Sequence, residues 1–232
     1  MDSDDWLEPN AVELLVARQK ETDADIVSGN AIVHRSSGLQ ELDEPNYASK
    51  EEMVLRQMEH TLDHVLWHRL IRRSVIEQHH IRAIEGSEMA EDRYQMTLIS
   101  YYARSFAKTS HVIYNYNQLN TNSIMHQSGE FLDKHIKSGF QHLKNWQGIV
   151  SFFADKEKLY YDKACQMTVN FSHSLIHYVL RASTNSSSKS LHVSSTDWEN
   201  NIGTKWAVQC RGQKAVCCTA IFAIGFACRC CE

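Results

Sequence analysis

The stretch LDKHIKSGFQHLKNWQGIVSFFADKEKLYYDKACQ, residues 132–166, returns an apolar or aromatic residue at every third or fourth position among its lysines. Steps of four and three alternate from residue 132 to residue 171, interrupted only at Gly139 and Glu157. This heptad pattern is typical of a long amphipathic helix that packs on other helices. The predicted core or dimer seam consists of Leu132, Ile136, Leu143, Trp146, Val150, Phe153 and Tyr160.

The composition of the whole chain also favours helices. Of 232 residues, 43% are apolar, which is enough for a buried core, while only 2 are Pro and 9 are Gly. Long runs of helix-forming residues outnumber alternating strand patterns, so we expect a mostly α protein. The net charge of −4 argues against binding of nucleic acid through the overall electrostatic field.

Changes in composition divide the chain into three predicted parts. Residues 1–49 are acidic and predicted to be irregular, apart from a short helix over 11–20. Residues 50–181 are predicted to form a helical bundle, with one helix from an N-cap at Ser49 to Gly86, a second from residue 87 or 88 through Ile113, and a third over 130–181. Residues 182–232 begin with a serine-rich linker and end in a cysteine-rich tail.

Several residues of the third predicted helix match a known pattern without a gap. They are Leu132, Lys134, His135, Gly139, Phe140, Leu143, Val150, Ala154, Glu157 and Tyr160. In these residues the chain resembles the first core helix of F-BAR (Fer/Cdc42-interacting homology) domains. The resemblance implies an elongated antiparallel helical bundle or coiled coil, here an incomplete F-BAR-like domain. It also implies a homodimer whose curved face meets anionic phospholipid and which is linked to actin-regulatory proteins.

One departure from the F-BAR pattern bears directly on lipid binding. Ser151 and Phe153 stand where the formin-binding and Cdc42-interacting subgroup has a basic pair that contacts membrane phosphates. This departure keeps a second hypothesis open, in which the seam binds a partner helix and the protein is a helical interaction module without a lipid role.

Basic residues on the predicted helices are the candidates for contact with lipid phosphates. A solvent-exposed helix face that binds no lipid is the alternative interpretation of the same residues. The candidates are Arg69, Arg72, Arg73, Lys134, Lys137 and Lys144.

Three histidines, His60, His64 and His68, recur every four residues and would lie on one face of a helix. Imidazoles at this spacing can share a zinc ion, but no further ligand follows at a suitable distance, so we expect no metal site and no cofactor. The chain has no GxSxG, phosphate-binding glycine loop or CxxC pair. Cys165 falls beside the seam and is interpreted as a core residue. The sequence therefore predicts a protein that is not an enzyme.

Six cysteines crowd the last 23 residues, where FACRCCE follows an apolar run over 215–227 that is too short to cross a bilayer as a helix. Palmitoylation, zinc binding and a tail produced by splicing or a gene-model error remain three alternatives.

Taken with the resemblance, these observations predict a peripheral membrane scaffold of the F-BAR kind, sensitive to membrane curvature and linked to the cytoskeleton. The alternative is the helical interaction module. We expect a cytoplasmic protein at the membrane or cytoskeleton, since the acidic N-terminus MDSDDWLEPN lacks the features of a secretory signal.

Overall fold

A mixed β-sheet, and not a helical bundle, organises the first half of the chain. The structure is a computed structural model that describes residues 3–59, 64–87, 89–119 and 131–185, with the side chains of the last range described over 136–178. The chain divides into two compact units, the first containing 1–86 and 90–131 and the second containing 87–89 and 132–232.

The described part of unit 1 contains both strands and helices. The strands are β1 (Trp6–Leu7), β2 (Ile26–Arg35), β3 (Gly38–Leu42), β4 (Arg69–Ile71) and β5 (Phe106–Asn117). The helices are α1 (Ala11–Thr22), α2 (Lys50–Glu59), α3 (Arg73–Gln78) and α4 (Glu91–Tyr102). The strand order is β1-β5-β2-β3, and β4 also pairs with β2. Strands β2 and β5 run parallel, whereas the other pairs are antiparallel.

Strand β2 is the centre of the sheet, because it pairs with β3, β4 and β5. Seven of its first eight residues are buried, as expected for a strand covered on both faces. The register with β5 shifts on either side of Asn30, so the strand is irregular there. At Gly29 a Cβ atom would lie 2.8 Å from Cγ1 and Cγ2 of Ile113 and 3.1 Å from the carbonyl oxygen of His111. Residue 29 must therefore be glycine for β5 to approach this closely.

Helix α1 covers one face of the sheet. Its buried residues Ala11 and Leu15 join a hydrophobic cluster with Val27 and Ala31 of β2 and Ile113 of β5. Burial of apolar side chains on α1 and the central strands is thus the main stabilisation of this layer.

Two helix predictions are confirmed. The short helix predicted over 11–20 is α1, and the helix predicted to start near residue 50 is α2. Ser49 Oγ accepts a hydrogen bond from the Glu52 amide at 3.0 Å, and a Glu52 carboxylate oxygen accepts one from the Ala48 amide at 2.6 Å. This reciprocal arrangement is a capping box, displaced by one residue on its return bond.

The remaining predictions for unit 1 are wrong. Residues 1–49 are not irregular, because they contain β1, α1, β2 and β3. The helix predicted from 50 to 86 ends at Glu59 and is followed by β4 and α3, and the second predicted helix ends at Tyr102 and gives way to β5. The apolar spacing at 106–113 belongs to a strand.

Unit 2 contains the F-BAR-like stretch, which folds as two helices. Helix α5 (Phe131–Phe153) and helix α6 (Lys158–Asn185) are separated by 154–157, so the single helix predicted over 130–181 is wrong. The rings of Phe153 and Tyr160 lie 5.3 Å apart across the turn, and those of His142 and Phe171 lie 5.3 Å apart farther along. The two helices therefore pack on each other as a hairpin.

The seam side chains that the structure describes are buried within the chain. These are Ile136, Leu143, Trp146, Val150, Phe153 and Tyr160, while the side chain of Leu132 lies outside the described residues. The seam is thus core, and its burial removes the reason for expecting a dimer through it. Self-association itself stays a prediction.

The F-BAR resemblance and the mostly α fold class are therefore wrong. An α/β chain with a mixed sheet and a parallel central pair has no counterpart of the continuous helices of a coiled coil. The resemblance rested on heptad spacing, which any helical hairpin with an apolar interface shares. Among the described residues, no helix has both the length and the apolar content to cross a membrane.

Candidate functional site

Polar side chains gather at the carboxyl end of the parallel pair β2 and β5. Asp5, directly before β1, is 8% exposed. Its Oδ2 accepts a hydrogen bond from the Tyr114 hydroxyl at 2.6 Å, and its Oδ1 accepts one from the backbone amide of Asn117, the last residue of β5, at 2.8 Å. Both carboxylate oxygens of Asp5 are thus held by β5, which fixes the position of the preceding residue, Asp4.

A second chain of hydrogen bonds crosses the same end of the sheet. His34 Nε2 lies 2.9 Å from Asn115 Oδ1, and Asn115 Nδ2 donates to Glu8 Oε1 at 2.8 Å. The ring of Trp6 lies 4.7 Å from that of His34 and is 44% exposed. A half-exposed indole beside imidazole, amide and carboxylate groups offers an apolar face together with hydrogen-bonding groups.

We call the group formed by Asp4, Asp5, Trp6, Glu8, His34 and Asn115 the carboxyl-end cluster. Asp4, Glu8 and His34 are half-buried, so solvent reaches all three. Helix α1 follows the cluster directly, and its start is fixed by the Glu8 carbonyl, which accepts from the Ala11 amide at 3.0 Å. Strand pairing and a helix start therefore position the whole cluster.

A buried ion-pair network lies beside the central strand. Glu44 Oε2 is 2.9 Å from His68 Nε2, and Glu44 Oε1 accepts from Arg69 Nη2 at 2.8 Å. Arg69 also donates to Ser28 Oγ at 3.1 Å and to the Val65 carbonyl at 2.9 Å. Burial raises the pKa of Glu44, but the His68 hydrogen bond and the charge of Arg69 outweigh it and lower the pKa to about 2. Glu44 is therefore ionised at neutral pH although it is buried.

Aromatic rings connect this network to the carboxyl-end cluster. Trp67 stacks on Tyr114 with ring centroids 4.4 Å apart, and it meets His68 edge-on at 4.7 Å. Tyr114 in turn donates its hydroxyl to Asp5. The Tyr114 side chain thus contacts Trp67 through its ring and Asp5 through its hydroxyl. The Glu44 ion-pair network therefore helps to hold Asp5 of the carboxyl-end cluster in place.

The amino end of the parallel pair is closed by a different network. Asp25, which precedes β2 and is 1% exposed, accepts hydrogen bonds from Arg104 at 2.9 and 3.0 Å and from Arg72 at 2.6 Å. The Arg104 hydrogen bond is the main cause that lowers the pKa of Asp25 to about 2, against the opposing effect of burial. These paired charges are structural, since both arginines are occupied with the carboxylate.

The candidate lipid-binding residues differ in exposure and in their partners. The side chain of Arg69 is 1% exposed and pairs with Glu44, whereas that of Arg72 is 31% exposed and pairs with Asp23 and Asp25. Arg73 is 87% exposed and pairs with Glu77. In unit 2, Lys137 is exposed and Lys144 half-buried, while the side chain of Lys134 lies outside the described residues.

The predicted histidine row is not a row on one helix. His60 lies outside the described residues, His64 occupies a turn, and His68 is paired with Glu44. Within the described part of the chain, no group of three His, Cys, Asp or Glu residues has the geometry to hold a metal ion. Cys165 is buried, as interpreted from the sequence, and the cysteine-rich tail lies outside the described residues.

The carboxyl-end cluster was not predicted, because DSDD at 2–5 was interpreted only as an acidic terminus. The available signal was an acidic run directly before the apolar pair Trp6–Leu7 and a helix start. Such an order places carboxylates at the start of a short strand. His34 and Asn115 gave no signal of their own, because only the pairing of β2 with β5 brings them together.

Comparison with solved structures finds S. aureus TarS, residues 1–349, at 14% identity and a TM-score of 0.42, over 77% of this chain and 55% of the TarS chain. The TarS complex with UDP-GlcNAc matches at 14% identity and a TM-score of 0.39, over 77% and 56%. The complex with UDP matches at 14% identity and a TM-score of 0.36, over 77% and 55%. This chain thus spans little more than half of those structures. No family model and no curated protein matches it.

The functional predictions need the same correction as the fold. The F-BAR scaffold is wrong because its helical bundle is absent, and the alternative of a helical interaction module fits no better, since the seam is buried. The expectation that the chain is not an enzyme is corrected as well, because it was made for a helical protein and the described chain has an α/β fold. The phospholipid and actin-regulatory partners, the absence of a nucleic-acid partner and the cytoplasmic location stay predictions.

Proposed function

We propose that this chain carries part of a nucleotide-sugar-dependent transferase, in which the carboxyl-end cluster meets the sugar nucleotide. The observation that carries the proposal is the fixed position of Asp5 at the end of β5, with the solvent-accessible Asp4 beside it. Ligands of open α/β sheets bind outside the carboxyl ends of parallel strands, and this is the end where the cluster lies.

The chemistry of the donor set suits a diphosphate bound through a divalent cation. Asp4 and Asp5 supply carboxylate oxygens, and Asp5 is held in place by two hydrogen bonds to β5. Mg²⁺ commonly binds one or two protein carboxylates and takes its remaining oxygen ligands from phosphates and water. Asp4 would hold the cation, which supplies charge neutralisation of the departing nucleoside diphosphate when bound.

The other members of the cluster have the chemistry to hold a sugar or a nucleoside. Trp6 offers an exposed ring face, and His34 with Asn115 offers hydrogen-bonding groups oriented by each other. Preorganised polar groups around an aromatic ring are the usual composition of a site for a small polar ligand. Asn115 is 3% exposed, so its role is to orient His34 and Glu8.

Binding of UDP and UDP-GlcNAc to the full chain tests the proposal, since these molecules occupy the compared TarS structures. Isothermal titration calorimetry with Mn²⁺ or Mg²⁺ is expected to show binding that chelation of the metal abolishes. Asp4→Asn is expected to weaken this binding at least tenfold, because it removes the carboxylate charge at the cation.

Asp43→Asn is the matched control, because Asp43 is a carboxylate with a side chain 71% exposed on the same unit, paired with Lys108 at 3.3 Å. It is expected to leave binding unchanged. Absence of metal-dependent binding in the wild-type chain, or an equal effect of the two variants, would contradict the proposed function.

A further inference from the structure

Helix α6 presents two imidazoles one turn apart on its exposed side. His173 and His177 are both solvent-exposed, and their ring centroids lie 4.6 Å apart with an angle of 65° between the planes. Residues at i and i+4 of a helix lie on the same face, so one ion can reach both rings. Within the described residues, neither imidazole takes part in a hydrogen bond or an ion pair.

The spacing of the rings agrees with that of two imidazoles on one metal ion. A metal bound at about 2.1 Å from a ring nitrogen lies about 3.2 Å from the ring centre, so ligand angles of about 90–110° separate the two centres by about 4.5–5.2 Å. The observed 4.6 Å falls in this range without a change of backbone. The pair therefore needs only side-chain rotation to direct both nitrogens at one ion.

We propose that His173 and His177 form a binding site for a divalent transition-metal ion of the Zn²⁺, Ni²⁺ or Cu²⁺ class. Neutral imidazole is a preferred ligand of these ions, whereas Mg²⁺ and Ca²⁺ prefer oxygen. Two protein ligands leave further coordination positions to water. The site lies on unit 2 and is independent of the proposed transferase function.

Three other described histidines each contact a residue that is not a histidine. His68 is paired with Glu44, His142 packs against Phe171 at 5.3 Å, and His79 stacks on Tyr102 at 3.6 Å. His111 is exposed on β5 and has no histidine neighbour at helical spacing. It is therefore a suitable single-imidazole control within the same chain.

Carbethoxylation of histidines, mapped by mass spectrometry on the full chain with and without Ni²⁺, tests the site at the residues themselves. This readout distinguishes binding at the imidazoles from binding at the cysteines of the tail. His173 and His177 are expected to be protected together by Ni²⁺ and by Zn²⁺, but not by Mg²⁺, while His111 stays reactive.

His177→Gln separates a chelate from two independent ligands. It removes one imidazole but keeps a polar helix former at an exposed position, so circular dichroism is expected to be unchanged. The Ni²⁺ concentration that protects His173 is expected to rise about tenfold or more, because the second ligand no longer acts at high effective concentration. His173→Gln is the reciprocal test for His177, and His111→Gln is expected to change neither.

Unchanged protection of His173 in His177→Gln, or no protection of either histidine in the wild-type chain, would overturn the metal site. Because UDP-GlcNAc binding is measured separately with the same variants, loss of the metal site is distinguishable from failure of the proposed function. The His173→Gln, His177→Gln double variant is expected to retain whatever sugar-nucleotide binding the wild-type chain shows.

Discussion

Arg69 donates to the Glu44 carboxylate at 2.8 Å in the interior of unit 1, and the side chains of the two residues are only 1% and 3% exposed. Arg69→Ala would leave a buried carboxylate paired with His68 alone. Removal of one partner of a buried ion pair commonly destabilises by about 3–5 kcal/mol. We expect a loss of that order in the free energy of unfolding, measured by urea denaturation.

Arg73→Ala is the control for this change. Arg73 is 87% exposed, and its ion pair with Glu77 is of the surface kind. The variant is expected to stay within about 0.5 kcal/mol of the wild-type chain. Similar losses in the two variants would show that burial of the Glu44–Arg69 pair has no special role.

The low pKa of Asp25 predicts that the stability of the fold decreases in acid. Its pKa falls from 3.8 to about 2 on folding, so its contribution is fully present above pH 4 and is lost as the pH falls through 2. The shift corresponds to about 2 kcal/mol. Asp25→Asn is expected to lower the melting temperature at pH 7 and to lose less further stability between pH 4 and pH 2 than the wild-type chain. Parallel pH profiles of the two proteins would contradict this assignment.

The same added methyl group is expected to destabilise the fold to different extents at Gly29 and at Gly139. At Gly29 the new Cβ meets the stiff side chain of Ile113 and a backbone oxygen, whereas at Gly139 it overlaps Cδ1 of Leu175, the end of a side chain that can rotate. Gly29→Ala is expected to destabilise by about 2–3 kcal/mol. Gly139→Ala is expected to lose about 1 kcal/mol, because the helix preference of alanine offsets part of the overlap. Thermal unfolding of both variants checks the order, and the reverse order would contradict it.

The same introduced charge is expected to destabilise the hairpin of α5 and α6 strongly at Val150 and hardly at all at Leu159. Val150 is 4% exposed and Leu159 is 46% exposed. Val150→Glu is expected to destabilise the hairpin by several kcal/mol through an unpaired buried charge, while Leu159→Glu stays near the wild-type value. Chemical denaturation followed by tryptophan fluorescence measures the difference. A folded Val150→Glu variant whose only change in ultracentrifugation is loss of self-association would instead restore the seam as a dimer interface.

The sequence was informative where a local signal fixed the structure. Ser49 with Glu52 predicted the start of α2, because capping involves residues only three or four apart. It misled over 132–171 because the turn at 154–157 contains neither Pro nor Gly and because its length preserves the heptad spacing from Phe153 to Tyr160. A helical hairpin and one long helix then have the same apolar pattern.

The sheet was missed for a different reason. Strand β2 is covered on both faces, so it lacks the alternation that identifies a half-exposed strand, and Ser28, Gly29 and Asn30 interrupt its apolar run. Phe106 and Ile113 of β5 are seven residues apart, a spacing that also fits a helix. The carboxyl-end cluster depended on this sheet, so none of its members except the acidic run was predictable from local sequence.

The parallel pairing of β2 with β5 also affects how the chain can fold during its synthesis. A nascent chain that has emerged as far as residue 42 can form the β2–β3 hairpin, but the other edge of β2 has no parallel partner until the ribosome has made residues 106–117. At about 5–20 residues per second, synthesis from residue 43 to residue 117 takes roughly 4–15 seconds. During it one edge of the apolar strand β2, which contains Ile26, Val27 and Val33, has no partner, and unpaired strand edges are prone to aggregation. The yield of folded protein in a host cell is thus expected to depend on chaperone supply and on elongation rate over residues 36–117.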